Sequence, residues 1–268
     1  MRSLRPIGKM DKRLSVAIIT LNEESNLPDC LASVAFADEI VIVDGGSTDR
    51  TCEIARAAGA RVIESVDWQG FGIQKNRALD ACSAAWVLSI DADERVPAEL
   101  RHEILHAIAN PAFDVYEMPR RSHYCGRFMR YSGWWPDYVR RMFRRNAARF
   151  STAPVHESLQ TDKAVGRLQN PLEHWSFRTM EQVLDKVNRY SSLSAPVVLE
   201  RGRRPTLATA IVHGAAAFFR TYFLKRGFLD GTHGFMLAVS NAEGSYYRYV
   251  KAMLLLAKSE SKQQAARH

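Results

Sequence analysis

Three short apolar runs, each followed by polar residues and then by a helix-like segment, constrain the fold most strongly. They read L-S-V-A-I-I-T at residues 14–20, E-I-V-I-V at residues 39–43 and W-V-L-S-I at residues 86–90. Uninterrupted runs of this kind are typical of parallel strands that are covered on both faces. Residues 61–63 predict a further strand, and helical patterns occupy residues 27–34, 49–58, 71–82 and 97–110. This alternation predicts an α/β fold with a mostly parallel central sheet and helices on both faces.

Composition narrows the class of protein. The 268 residues are 46% hydrophobic, which is enough for one sizeable core or one domain with an appendage. A formal net charge of +8 favours an anionic partner, such as nucleic acid, an acidic lipid surface or a phosphorylated substrate. The four cysteines form no C-x-x-C pair, so we expect reduced thiols in a cytosolic protein. No apolar stretch follows the basic N-terminus, and no uncharged apolar run reaches 18 residues, so neither a secretory signal nor a spanning helix is expected.

The third apolar run ends abruptly in acidic residues, Asp91, Asp93 and Glu94. Carboxylates at the end of a buried strand are costly unless a positive charge lies against them, and a divalent cation takes carboxylate oxygens readily. In open α/β sheets, ligands also bind at this edge. A solvated loop after the strand is the alternative.

The second run ends in D-G-G-S-T-D at residues 44–49. Gly45 allows the backbone to come close to a ligand, and the helix that follows offers free N–H groups. Asp44 is an acceptor that would repel phosphate, and it suits a nucleobase N–H or a ribose hydroxyl. Neither the P-loop nor the dinucleotide-binding glycine pattern is present. The alternative is a plain turn in which Ser47 or Thr48 caps the helix.

Four segments in this order carry a family resemblance: S-V-A-I-I-T-L-N-E-E, I-V-I-V-D-G-G-S-T-D-R-T, G-I-Q-K-N-R-A-L and W-V-L-S-I-D-A-D-E. Together they resemble inverting glycosyltransferase family 2, which has the GT-A fold. With H-E at residues 156–157 and R-G-F-L-D-G-T-H-G-F at residues 226–235, the chain is most similar to lipopolysaccharide core β-1,4-glucosyltransferases. The resemblance implies a nucleotide-sugar donor such as UDP-glucose, a divalent metal, and a cytoplasmic enzyme that is peripheral at the inner face of the inner membrane.

The resemblance also implies roles for individual residues. Asp93 would ligate Mg²⁺ or Mn²⁺, with Asp91 and His156 as further candidate ligands. Asp44 would contact the base, while Lys75 and Arg77 suit a diphosphate. For both cations, an ordinary surface charge or salt bridge is the alternative, and His156 could be a structural histidine. The implied nucleotide-binding set is Leu21, Asn22, Glu23, Asp44, Gly45, Lys75, Arg77 and Asp91.

An inverting transfer needs a general base, because the acceptor hydroxyl loses its proton as it attacks. The candidates are Glu157 and Asp137, and we favour Glu157 because His156 beside it offers a metal or diphosphate contact. Adjacent side chains on a regular strand point to opposite faces, which is an objection unless this segment is a loop.

A basic and aromatic segment follows the predicted sheet. Residues 120–149 hold nine arginines and a single acidic residue, Asp137, with tryptophans and tyrosines interleaved. We interpret this segment as a site for a phosphorylated glycolipid acceptor. A solvated strand face is the first alternative, and nucleic acid binding is disfavoured.

The C-terminal third changes in composition. Helical patterns occupy residues 179–199 and 238–258, and the apolar stretch 207–223 is flanked by Arg and Lys. This pattern favours an interfacial helix on an anionic membrane surface, and a helical hairpin packed on the catalytic domain is the alternative. We therefore expect a basic segment at 1–13, a GT-A domain at 14–175 and a helical extension at 176–268. The GT-A domain would divide into a nucleotide-sugar half, 14–112, and an acceptor half, 113–175.

The sequence thus predicts an inverting hexosyltransferase acting on a lipopolysaccharide inner-core sugar. Transfer to a polyprenyl phosphate or another cell-surface glycan stays open as an alternative. So does a non-catalytic protein that binds nucleotides or nucleic acid.

Overall fold

The computed structural model describes residues 12–152 and 157–265. The chain forms two compact units. The first comprises residues up to Arg120 together with Tyr138–His174, and the second comprises Arg121–Asp137 together with the residues from Trp175 onward.

The strands of the structure are mostly short, and several of them pair residues far apart in the chain. They are β1 Leu14–Thr20, β2 Glu39–Asp44, β3 Arg61–Glu64, β4 Trp86–Asp91, β5 Glu94–Arg95, β6 Val115–Tyr124, β7 Arg127–Phe128, β8 Asp137–Arg144, β9 Arg149–Phe150, β10 Leu159–Gln160, β11 Val165–Arg167 and β12 Leu172–Phe177. The helices are α1 Leu27–Ser33, α2 Thr51–Ala57, α3 Phe71–Ala81, α4 Ala98–Ala109, α5 Met180–Glu200, α6 Leu207–Phe219 and α7 Gly231–Ala265.

The main sheet has the strand order β3-β2-β1-β4-β8-β6-β12-β5. Strands β1 to β4 are parallel to one another, whereas β8 runs antiparallel to β4. The parallel half is made from the apolar runs that the sequence singled out, and β1 has the predicted bounds. The prediction of a mostly parallel sheet is therefore confirmed.

The core lies on both faces of this sheet, because side chains alternate along each strand. Val16 and Ile18 belong to one buried cluster together with residues of α1, α2 and α4. Ala17 and Val43 belong to the opposite cluster, where α3 supplies Ala78 and its neighbours. Strands that are apolar on both faces need helices on both sides of the sheet. The structure has this arrangement, as predicted.

The second unit is built around α5, α6 and α7. Ala195, Ala210 and Ala252, one from each helix, are fully buried in a shared cluster. Gly214 permits close approach of α6 and α7, since a Cβ there would lie 3.3 Å from the carbonyl oxygen of Ala242. Helix α7 extends beyond the predicted residues 238–258 at both ends.

The glycine-rich segment that precedes α7 anchors a loop of the same unit. Asp230 is fully buried, and its carboxylate accepts hydrogen bonds from the backbone N–H groups of Arg130 (3.1 Å) and Tyr131 (2.9 Å). Gly227 has no room for a side chain, because a Cβ would lie 2.8 Å from the carbonyl oxygen of Thr221. This part of the R-G-F-L-D-G-T-H-G-F segment therefore holds residues 130–132 in place.

One segment among the described residues, Leu207–Leu224, is long and apolar enough to cross a membrane by length and composition. It comprises α6 and the π-helical turn Arg220–Leu224, and 22% of it is buried. Arg220 interrupts the apolar residues, which is why the sequence criterion of an uncharged run did not select it. Its exposed apolar residues are Leu207, Ile211, Val212, Phe219, Phe223 and Leu224.

Glu39 gives the fold a defined response to acid. Burial acts to raise the pKa of Glu39, but hydrogen bonds from Lys12 (2.8 Å), Ser15 (2.5 Å) and Ser83 outweigh it and lower the pKa to about 2. A lowered pKa stabilises the fold fully above the ordinary value of 4.5, and this stabilisation is lost as the pH falls towards 2.

We predict that Glu39→Gln lowers the free energy of unfolding at pH 7 by about 1–3 kcal/mol. We also expect it to flatten the decline of stability between pH 5 and pH 2, because the titrating group is gone. Urea unfolding across this pH range measures both effects. Glu53→Gln is the control, because Glu53 is an exposed partner of Arg50 and its pair contributes little. Parallel pH curves for Glu39→Gln and the unchanged protein would contradict the prediction.

Candidate active site

The ends of three parallel strands bring the polar loops of the first unit together. In the register of the sheet, Thr20 of β1 pairs with Asp44 of β2, and Ile19 pairs with Asp91 of β4. The loops that follow β1, β2 and β4 therefore leave the sheet at the same edge. This is the edge at which open α/β sheets bind ligands.

The loops after β1 and β2 are joined by hydrogen bonds. The Asn22 side-chain oxygen accepts a bond from the backbone N–H of Thr48 (2.8 Å), and the Asn22 N–H donates to the Ser47 hydroxyl (2.8 Å). Asn22 has φ 56°, in the left-handed region that asparagine tolerates better than most residues. Leu21 remains half exposed at the surface of the same turn.

Asp44 holds the second loop in shape. Its carboxylate accepts bonds from the Thr20 hydroxyl (2.8 Å), from the backbone N–H groups of Gly46 (3.0 Å) and Ser47 (2.8 Å), and from the Ser47 hydroxyl (2.6 Å). Burial acts to raise the pKa of Asp44, but the bonds led by Ser47 outweigh it and hold that pKa below its ordinary value. Asp44 is 1% exposed, so it fixes the conformation of a loop that could contact a ligand through its backbone.

An exposed aromatic pair lies beside this glycine turn. A Cβ on Gly45 would lie 3.5 Å from the Trp68 ring, and Trp68 meets Phe71 edge to face with centroids 4.9 Å apart. Arg77 fixes the segment that carries Trp68, because its guanidinium donates to the Asp67 carbonyl oxygen (2.6 Å) and contacts the Asp67 carboxylate (3.2 Å). Arg77 therefore shapes this wall of the site through its contacts with the loop.

Asp91 lies between two cations at the end of β4. Its two carboxylate oxygens contact Lys75 Nζ (3.0 Å) and Arg141 Nη2 (2.6 Å). Burial acts to raise the pKa of Asp91, but the charges of Arg141 and Lys75 outweigh it and hold that pKa well below its usual range. Lys75 also contacts Glu157 Oε1 at 3.0 Å, so one buried ammonium joins Asp91 to the proposed general base.

Glu94 completes the charge network beneath Asp91. It is fully buried and accepts from Arg141 Nη2 (2.6 Å), while its second oxygen accepts from the backbone N–H of Asp91 (3.0 Å). Burial acts to lower the pKa of Arg141, but Asp91 and Glu94 raise it well above its ordinary value. Arg120 of β6, which β12 separates from β5 in the sheet, approaches Glu94 at 3.4 Å. The network fixes the geometry of the acidic turn from below.

Asp93 and His174 form a second polar pair at this edge. His174 belongs to β12, and its Nε2 lies 3.1 Å from Asp93 Oδ2. Burial acts to raise the pKa of Asp93, but the hydrogen bond with His174 outweighs it and lowers that pKa. The pKa of Glu23 is raised, first by burial and then by nearby carboxylates, which are those of Asp93, Asp49 and Asp91.

This arrangement fits a divalent cation that is shared with a substrate. In the described part of the chain, no group of three or more His, Cys, Asp or Glu side chains forms a ready metal cage. Asp93 offers a carboxylate and His174 an imidazole side by side, whereas both oxygens of Asp91 already contact cations. Mg²⁺ commonly takes one or two protein ligands and completes its shell with phosphate oxygens and water. Asp93 and His174 are therefore the pair that would hold Mg²⁺ or Mn²⁺.

The two candidate bases, Glu157 and Asp137, belong to different units. Glu157 lies in the first unit, beside Lys75. Asp137 belongs to the second unit, at the start of β8. His156 lies outside the described residues. The nine arginines are divided between the two units, because residues 121–137 group with the second unit. Several of those in the first unit are paired, as in Arg144 with Asp114 and Arg149 with Asp80.

Sequence reasoning missed His174, Arg141 and the structural role of Glu94. Each acts through a partner that is distant in the chain: His174 is separated from Asp93 by 81 positions, and Arg141 from Asp91 by 50. The available sequence signal for His174 was its position between the apolar residues Leu172 and Trp175. Nothing in the local sequence distinguishes Arg141 from the exposed Arg140 beside it.

The chain is similar to known proteins over most of its length. Residues 15–172 match the model of glycosyl transferase family 2, and the chain belongs to this family. The predicted GT-A type fold and the predicted enzyme class, a family 2 glycosyltransferase, are confirmed.

Relatives and solved structures share different portions of the chain. The lipopolysaccharide core biosynthesis glycosyltransferase LpsC of Rhizobium meliloti (strain 1021) is 33% identical over 252 residues, covering 89% of this chain and 90% of that protein. An uncharacterised glycosyltransferase of Rickettsia typhi is 32% identical over 273 residues, covering 93% of this chain and 90% of that protein. Glucosyl-3-phosphoglycerate synthase from Mycobacterium tuberculosis, solved with Mn²⁺, UDP and glucosyl-3-phosphoglycerate, is 27% identical with a TM-score of 0.35, covering 42% of this chain and 44% of that chain.

We predict that Arg141→Met lowers the free energy of unfolding by about 3–5 kcal/mol, because it removes the cation shared by two buried carboxylates. Arg140→Met is the matched control. Arg140 is the adjacent residue on the same strand, and it donates only to the Leu159 carbonyl oxygen (3.3 Å), so the expected change is within about 1 kcal/mol. Urea unfolding followed by circular dichroism measures both variants. Equal losses in the two would show that the Arg141 network does not hold the acidic turn.

Proposed function

We propose that this chain is an inverting glycosyltransferase that moves a hexose, glucose from UDP-glucose in the first instance, to a sugar hydroxyl of the lipopolysaccharide inner core. The observation that carries the proposal is the contact of Lys75 with both Asp91 and Glu157. It sets a carboxylate beside the acidic turn of a family 2 fold, where an inverting transfer needs one. Similarity to LpsC over most of the chain supports the acceptor class.

The donor is assigned to the strand-end loops. The turn fixed by Asn22 and Asp44 offers backbone groups to the nucleoside, and Trp68 supplies an exposed ring beside Gly45. Asp91 keeps Lys75 close to where the diphosphate would lie. A divalent cation held by Asp93 and His174 would act there as a Lewis acid that neutralises charge on the departing diphosphate.

Transfer then proceeds as a single displacement. The acceptor oxygen attacks the anomeric carbon from the face opposite the diphosphate, so a carbon–oxygen bond to the acceptor forms as the bond to UDP breaks. The acceptor proton passes to Glu157. Because Lys75 contacts Oε1, the other carboxylate oxygen, Oε2, is the one we assign to receive it. Inversion follows from the single displacement.

We also propose that the enzyme acts from the cytoplasmic face of the inner membrane as a peripheral protein. The support is the exposed apolar side of α6, where Ile211 is 55% and Val212 is 64% exposed. Patches of this kind mark interaction surfaces, and a lipid acceptor has to be met at a membrane.

Metal binding tests the assignment of Asp93 and His174. We expect His174→Ala to weaken Mn²⁺ binding in the presence of UDP by about 10- to 100-fold, and Asp93→Asn to weaken it at least as much. Electron paramagnetic resonance of free Mn²⁺ measures the affinity without reference to turnover. His106→Ala on α4 is the control, because His106 is exposed and lies in the last turn of that helix. Unchanged Mn²⁺ affinity in both site variants would remove them as ligands.

Replacement of Glu157 tests the proposed base and the acceptor class together. We expect Glu157→Gln to lower kcat by about 10²- to 10⁴-fold while the KM for UDP-glucose changes little. UDP release on addition of inner-core acceptor measures the rate, and Asp162→Asn, an exposed carboxylate in a loop, is the control. A larger loss in Asp137→Asn would move the base to Asp137. Full activity of Glu157→Gln with the inner-core acceptor would remove Glu157 as the base. Full activity of the variant on addition of a polyprenyl phosphate, together with no UDP release on addition of the inner-core acceptor, would favour the phosphate acceptor, which needs no strong base.

A further inference from the structure

The helical unit contains a cleft to which the donor chemistry proposed above assigns no role. It has a volume of about 560 Å³ and is lined by residues of α5, α6 and α7 and of the 121–137 segment, all within the second unit. Small side chains from the helices, Ser191, Ala217 and Gly244, line part of it. The helices thus leave room for a ligand without a break in their own packing.

The charged side chains that line this cleft are all cationic. Four cationic side chains line it: Lys186, Arg220, Lys225 and Arg248. Among the lining residues, all of which belong to the described part of the chain, none is Asp or Glu. Such a concentration of positive charge among the lining residues favours an anion, and arginines bind phosphate with paired N–H groups.

Two of the arginines also line an adjoining space. Arg220 and Arg248, with Ala217 and Ser245, are shared with a smaller cavity of about 340 Å³ that reaches His213 and Tyr249. Those two rings are stacked with centroids 4.0 Å apart. Arg220 and Arg248 therefore lie where the two spaces meet, and they are the side chains best placed to hold an anionic group.

The apolar surface of the same unit begins next to these cations in the chain. Arg220 follows Phe219, and Lys225 follows Phe223 and Leu224, of which Leu224 is 69% exposed. Tyr124, Trp134 and Phe177 add aromatic rings to the cleft itself. A soluble phosphate would satisfy only the cations. A ligand with a phosphate and an attached apolar chain would satisfy both features.

We propose that this cleft binds the phosphate-bearing head group of a membrane lipid, with Arg220 and Arg248 on the phosphate and the acyl chains against the exposed apolar side of α6. The site is separate from the donor chemistry and does not depend on the sugar that is transferred. The cleft would add the specific binding of a single lipid head group to the general attraction between the basic protein and an anionic membrane surface.

The experiment compares two pairs of variants with equal loss of charge. Arg220→Gln with Arg248→Gln empties the cleft of its arginines. Arg189→Gln with Arg201→Gln removes two exposed arginines of the same unit that do not line it. Co-sedimentation of the full chain with vesicles of phosphatidylcholine, with and without phosphatidic acid, measures binding. Circular dichroism checks that each pair is folded, and Lys186→Gln with Lys225→Gln is a second cleft pair.

We expect each cleft pair to lose about tenfold more affinity for vesicles with phosphatidic acid than the control pair, which loses only diffuse attraction. Equal losses in the cleft and control pairs would overturn the proposal. Dihexanoyl phosphatidic acid below its micelle concentration is expected to raise the Tm of the unchanged protein and of the control pair, and not that of the arginine cleft pair. If inorganic phosphate raised the Tm equally well, the lipid assignment would be wrong and the cleft would be a simple anion site.

Discussion

The buried guanidinium of Arg141 is the interaction on which the acidic end of β4 depends. Asp91 and Glu94 both contact it at 2.6 Å, and Glu94 has no exposed surface. Without a shared cation, two carboxylates this close would repel each other and would be costly to desolvate. With it, the turn can present Asp93 towards His174 while Asp91 faces Lys75. The chemistry proposed for the site therefore rests on a structural ion network that makes no contact with substrate in our scheme.

The parallel half of the fold could be predicted from sequence because its information is local. The run at residues 14–20 is apolar and β-branched throughout, so its strand bounds follow from the run itself. Two-residue strands such as β5 and β9 carry no such pattern. They exist because a distant partner pairs with them, as Glu94 and Arg95 pair with residues of β12. Helix α7 was underestimated at its start for a related reason: its first turn contacts a distant segment, where His233 Nε2 lies 3.0 Å from the Cys125 carbonyl oxygen, and it contains the weak helix formers Gly231 and Gly234.

The site residues also divide into those that the local sequence predicts and those that depend on contacts with distant segments. Asp44, Asp91 and Asp93 could be selected because each follows a buried strand, and parallel strands end at a common edge. Their partners could not, since the pairing of Asp93 with His174 and of Asp91 with Arg141 depends on strands that join the sheet from far along the chain. Arg77 illustrates a different limit. A cation on the helix after a loop suits a diphosphate in sequence terms, yet the hydrogen bonds of Arg77 go to Ser65, Asp67 and Gln74. The residue type showed that Arg77 could bind a phosphate, whereas its hydrogen bonds to the loop depend on tertiary contacts that the local sequence does not reveal.

The position of Lys75 has a consequence for how an anionic substrate enters. Lys75 is 6% exposed, and its ammonium already contacts Asp91 and Glu157, so the resting pocket carries no unpaired cation at that point. A diphosphate arriving there has to exchange with an internal carboxylate instead of occupying a vacant charge. Asp91 is the partner whose release is compatible with the proposed proton transfer, because Glu157 keeps Oε2 for the acceptor proton while Oε1 stays on the lysine. One lysine would then serve the arriving diphosphate and the base at the same time, and donor entry would be coupled to a rearrangement of the carboxylate at the end of β4.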